Sequence, residues 1–120
     1  MIDLRFGLCL TVQRRRDKTY ILLAGELDVS NVSVLIDAFG TIPSEAQAGV
    51  VVDISKLDFL GACGINAIVI GAARFSLSLC PLIVTGANPL QHRTLIASGV
   101  GSLLASSPVP NDRLQAPLSA

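Results

Sequence analysis

The chain has 120 residues, enough for one domain and too few for two. Half of it is apolar (51%), aromatics are few and Trp is absent, so the expected core is Val, Ile, Leu and Ala, as in a compact α/β domain. Nine Lys and Arg balance nine Asp and Glu, a neutrality that argues against nucleic acid as a partner, since that calls for a basic stripe. The one basic cluster, Arg14-Arg15-Arg16, runs into Asp17-Lys18 and reads as a solvated hairpin turn. No apolar run approaches the roughly 18 residues of a membrane span. Ile65 to Ala73 comes nearest, and Asn66 and Arg74 interrupt it. Asp3 and Arg5 break any signal-peptide pattern, so a cytoplasmic protein without a membrane partner is expected.

In chain order, Leu8–Val12 and Tyr20–Leu23 are strand-like, and the charged Arg14–Lys18 segment joins them as a hairpin. Gly25-Glu26-Leu27-Asp28 ends the second strand, and Asp28 or Ser30 is placed to cap a helix. Val32, Leu35, Ile36 and Phe39 give that helix a buried stripe, and Gly40 closes it. Thr41 to Ala48 is a loop. Val50-Val51-Val52 then reads as a short buried strand ending on Asp53, with a loop from Ser55 to Leu60. Gly61-Ala62-Cys63-Gly64 turns the chain into a helix from about Ala62 to Leu79, whose inner face carries Ile65, Ile68, Val69 and Ala72. Pro81 stops it. Leu82–Thr85 is the next buried strand and the parallel neighbour of Val50–Asp53. Asn88 caps a last helix, Pro89 fits its first position and Gly99 ends it. Leu103-Leu104 begins a weak final strand, and residues 107–120, with three prolines, form an irregular tail. The order ββαβαβαβ implies an α/β fold: a mostly parallel sheet of about five strands, an antiparallel first hairpin, and three or four helices.

Cys9, Cys63 and Cys80 are odd in number and without paired spacing, and His92 is the only histidine. A zinc site takes about four ligands, so no metal is expected, nor any cofactor. Four features invite chemistry. The Gly61–Gly64 turn opens a helix, where unpaired N–H groups favour negative charge. Cys63 in that turn is either a thiol made reactive by the helix end or a small residue filling the core. Ser55 is either a phosphate acceptor or a turn residue bonded to nearby backbone. Asp28 and Asp53 invite an acid–base pair, but no second polar cluster completes a pocket, and His92 reads as solvated. No enzyme is expected.

Three segments resemble the STAS family, the anti-sigma factor antagonists. Gly25-Glu26-Leu27-Asp28 is similar to its G-E-L-D motif. Asp53-Ile54-Ser55 with Phe59-Leu60-Gly61-Ala62-Cys63-Gly64-Ile65 is similar to its D-L-S…F-[LIM]-[DG]-S-[SA]-G-[LI] signature. Leu95-Ile96-Ala97-Ser98-Gly99-Val100 matches the [LV]-x-x-x-G-[LV] close of its third helix. The resemblance covers about residues 8–106 and implies one STAS domain over 1–120.

It further implies a cytoplasmic bacterial switch that binds an anti-sigma factor, often a serine kinase, and so frees a sigma factor to act in transcription. The implied partner surface takes in Asp28, Asp53, Ser55, Gly61, Ala62, Cys63 and Gly64. In the family the kinase phosphorylates a serine at the start of the central helix, adding about two negative charges where the partner must sit. That position is Ala62 here, without a hydroxyl, so no phosphorylation is expected at it, and Ser55 is the weaker substitute. Two rivals stand beside this reading. One is a self-associating scaffold or stress-complex subunit, with a homodimer as its simplest form. The other is a redox sensor or thiol enzyme using Cys63.

Overall fold

The computed structural model describes residues 2–43 and 48–105. Five strands form one sheet in the order β1-β2-β3-β4-β5: β1 (Ile2–Arg5), β2 (Leu8–Arg15), β3 (Lys18–Leu27), β4 (Gly49–Leu60) and β5 (Leu82–Thr85). β1, β2 and β3 pair antiparallel, and β3, β4 and β5 pair parallel. Helices α1 (Val32–Gly40), α2 (Ala62–Ser76) and α3 (Pro89–Ala97) follow β3, β4 and β5. Alternate strand residues, among them Leu8, Leu10, Ile21, Leu23, Val50, Val52, Ile54, Leu82 and Val84, are buried in one core with Leu35 and Phe39 of α1 and Ile68 and Phe75 of α2. Cys9, Thr11 and Leu22, pointing the other way, are only half-buried, as a period of two requires. Among the described residues no helix is long and apolar enough to cross a membrane.

The expected α/β class and the parallel pairing of Val50–Asp53 with Leu82–Thr85 across α2 are present. Several element bounds differ from expectation. An additional strand, β1, precedes Leu8 and turns through Phe6 and Gly7, both at positive φ, the geometry of a two-residue hairpin. The next hairpin also turns in two residues, Arg16-Asp17, so Arg14, Arg15 and Lys18 belong to strands. Their charge does not stop the ladder because their side chains are exposed. β4 continues through Ser55–Leu60, expected as loop, because β3 runs on beside it to Leu27.

Helix bounds shift too. Neither Asp28 nor Ser30 caps α1, which starts after Asn31. Gly40 is its last helical residue rather than its stop. Val34 and Ala38 are buried with Leu35 and Phe39, while Ile36 is more than half exposed, so the inner face is rotated from the expected stripe. α2 ends at Ser76, with Leu79 outside it. Gly101–Leu103 is a 3-10 turn, and Leu104 makes a single bridge to Val84, so no final strand forms. Asn88, Pro89 and Gly99 act as expected on α3. The tail expected over 107–120, and part of the loop expected over 41–48, lie outside the described residues.

Candidate partner-binding site

β3 and β4 end side by side at the pair Leu27–Leu60. The Gly61 N–H donates to the Leu27 carbonyl (2.9 Å), and α2 begins at once. Gly61 sits in extended backbone with no side chain to cap the helix; its carbonyl accepts from the N–H groups of Gly64 (3.0 Å) and Ile65 (3.1 Å). The Ala62 and Cys63 amides belong to the first turn, which has no helical acceptor for them. Packing fixes the turn. A Cβ on Gly64 would lie 2.7 Å from Leu27 Cδ2 and 3.1 Å from Leu60 Cδ1, and one on Gly61 would lie 3.2 Å from the Phe59 ring. The leucine of G-E-L-D and the second glycine of the central signature are therefore one contact.

A buried asparagine ties the neighbouring loops to this turn. Asn31 is fully buried, and its amide donates to the carbonyls of Phe6 (3.0 Å) and Glu26 (2.8 Å). Its side-chain oxygen accepts from the Asp28 N–H (3.0 Å). One side chain thus joins the β1–β2 turn, the end of β3 and the start of α1. Sequence reasoning missed Asn31; its position before a helix was the only hint. The Asp28 carboxylate accepts from the Ser30 N–H (2.9 Å) and hydroxyl (2.6 Å), an Asx turn that shapes the loop.

Around this end several large apolar side chains are exposed among polar ones such as Asp58. Ala62 is exposed, and so are Phe6 (73%), Val29 (83%), Phe59 (51%) and Leu90 (67%). Asn31 links Phe6 to the loop carrying Val29, Phe59 lies against Gly61, and Leu90 shares a small cleft with Phe59 and Leu60. Exposed large apolar side chains gathered at one end of a monomer are characteristic of an interaction surface.

The expected site residues divide into two groups. Asp28, Gly61, Ala62, Cys63 and Gly64 meet at this end, joined through Leu27. Asp53 and Ser55 do not. Asp53 pairs with Leu22, five β3 positions before Leu27 and so about 16 Å away along the sheet. Its carboxylate accepts from the Ser55 N–H (2.9 Å) and lies beside Gly86. Asp28 and Asp53 accordingly form no carboxylate pair. Cys63 is half-buried, Cys9 likewise, and His92 is exposed. Cys80 is buried, and burial pushes its thiol pKa up. Among the described residues no three His, Cys, Asp or Glu side chains gather as metal ligands.

Behind the turn, α1 and α2 run alongside each other over a groove of about 500 Å³, which extends from Cys63 to Arg74. At its far end Arg74 donates to the Phe39 (2.6 Å) and Ile42 (3.0 Å) carbonyls and lies 4.6 Å over the Phe75 ring.

Comparison with solved structures places this arrangement among known proteins. An anti-sigma factor antagonist from Mycobacterium paratuberculosis superposes with a TM-score of 0.74 at 18% identity, over 84% of this chain and 87% of its own. Phosphorylated SpoIIAA of Bacillus gives 0.65 at 18% identity, over 80% and 88%. Moorella thermoacetica RsbS, with a serine replaced by glutamate, gives 0.59 at 20% identity, over 75% and 77%. At such identities the likeness is one of fold. No curated protein matches the chain. The family model described as "Mlab, STAS domain" matches residues 10–105, which run from within β2 through β5 and take in all three helices, and the chain therefore belongs to the STAS domain family.

Proposed function

We propose that this STAS domain is a non-enzymatic binding module that takes an anti-sigma factor on the surface around the start of α2 and thereby releases a sigma factor. The observation that carries the reading is the bare, exposed Ala62 turn set among Phe6, Val29, Phe59 and Leu90. The similar structure from Mycobacterium paratuberculosis is an anti-sigma factor antagonist by name, which supports the same reading. Ala62 has no hydroxyl, so phosphate does not switch binding at this position and control lies elsewhere. The test is titration of the anti-sigma factor against wild type and Ala62→Asp. Wild type binds, and the aspartate weakens binding by several kcal/mol, because its charge is buried unpaired in the contact. The fold survives, since a helix start favours an acid by roughly 0.3–1 kcal/mol. Equal affinity of the two proteins, with unchanged circular dichroism, moves the interface elsewhere. Self-association without any anti-sigma binding gives the scaffold reading instead.

A further inference from the structure

We propose that the groove between α1 and α2 binds a free single-chain fatty carboxylate, with its head at Arg74 and its tail running toward Cys63. The volume, about 500 Å³, falls in the range of small-molecule sites. The walls are apolar, and Ile36 and Ile70 stand more than half exposed on opposite rims, where neither fills the core. Phe39 closes the floor against Gly71, whose Cβ would lie 2.7 Å from the ring.

Charge decides the occupant. Among the described residues, Arg74 is the only charged side chain lining the groove, and no carboxylate lines it. Its Nη1 donates to the Phe39 carbonyl in the last turn of α1 and its Nη2 to the Ile42 carbonyl just beyond it, which fixes the guanidinium in place. A guanidinium carries five N–H groups, so donors remain for a carboxylate once those two are used. From Cys63 to Arg74 is eleven helical steps, about 16 Å, the reach of a medium-length acyl chain. The shape is a linear channel with one cationic end, which suits a single-chain monomer better than a bilayer surface.

Titration calorimetry with monomeric dodecanoate and with dodecyltrimethylammonium tests this on the full chain. Dodecanoate saturates one site, and the cationic amphiphile of equal chain length binds roughly tenfold to a hundredfold more weakly, as loss of a charge-assisted contact requires. Ile70→Glu, at an exposed position that leaves the core intact, abolishes dodecanoate binding. Arg74→Gln removes the preference between the two heads; a circular dichroism spectrum and melting curve establish that this variant is folded. Ile36→Glu repeats the Ile70 test from α1 should Arg74→Gln not fold. Equal affinity for both heads, or binding unaffected by Ile70→Glu and Ile36→Glu, overturns the proposal. So does loss of anti-sigma binding in the groove variants with no dodecanoate site in wild type, which assigns the groove to the protein partner.

Discussion

Helices α2 and α3 each follow a parallel strand and each end in the same pair of hydrogen bonds, yet their starts are built by opposite means. At the start of α3, the Asn88 side chain accepts from the Gln91 N–H (2.8 Å) and the Gln91 side chain accepts from the Asn88 N–H (3.0 Å). Pro89 takes the first helical position, and the Gln91 amide donates to the Leu57 carbonyl (2.8 Å). Nothing comparable opens α2, where Gly61 offers no side chain and Gly64 is held by Leu27. At the far ends, Val100 N–H to Leu95 carbonyl matches Cys80 N–H to Phe75 carbonyl, and Gly99 N–H to Ile96 carbonyl matches Leu79 N–H to Ser76 carbonyl. The left-handed residue that closes the pattern is Gly99 in α3 and Leu79 in α2. So α3 is secured by its own sequence, while α2 is secured by what it packs against, with six of its residues buried against two in α3. A helix start satisfied by its own side chains has little to offer another molecule; a bare one still has donors free.

Three substitutions test how far that contrast goes. The largest effect is expected at Gly64→Val, which drives methyl groups into Leu27 and costs about 1–3 kcal/mol by overpacking. Urea unfolding measures it, and the cost should shrink in a Leu27→Ala background, where the colliding methyls are gone. An equal cost in both backgrounds would detach the start of α2 from Leu27. Next, Asn88→Ala should cost about 1 kcal/mol, from loss of the cap on α3, as a lower urea midpoint at unchanged slope. A negligible loss would mean that Gln91 and Pro89 suffice. The smallest effect runs the other way. Leu79→Gly should stabilise by about 0.5–1 kcal/mol, because it relieves a left-handed leucine that is almost wholly exposed and loses little packing. A lower melting temperature would show that Leu79 contributes contacts outweighing its strain.

Much of this was legible in the sequence, and the failures share a cause. Val50–Val52, Leu82–Thr85 and the buried Ile65 and Ile68 of α2 announce themselves, because each signal lies within one element, although Val69 and Ala72 of the expected α2 face are only half-buried and Ala67, Gly71 and Phe75 complete it. Asn88, Pro89 and Gly99 do so for the same reason. Ser55–Leu60 read as loop because its strand character comes from β3 alongside, not from its own residues. Asn31 was invisible because its work is to join Phe6, Glu26 and Asp28. Leu27 and Gly64 were each part of a motif, but their contact crosses thirty-seven positions of chain and no local pattern records it. The resemblance grouped Asp53 and Ser55 with the turn, and the continuation of β4 as a strand carries them away from it.

The Arg74 guanidinium has a consequence for how α1 opens. α1 has no basic residue in its own last turn, and the carbonyls of Phe39 and Ile42 are held from α2. The positive charge that a helix C-terminus favours is thus lent by a different helix, thirty-five residues later in the chain. The end of α1 therefore cannot fray on its own terms. In native-state hydrogen exchange the amides of Thr41 and Ile42, which close that end onto Ala38 and Phe39, should open together with the last turn of α2 as one cooperative unit, not with the rest of α1.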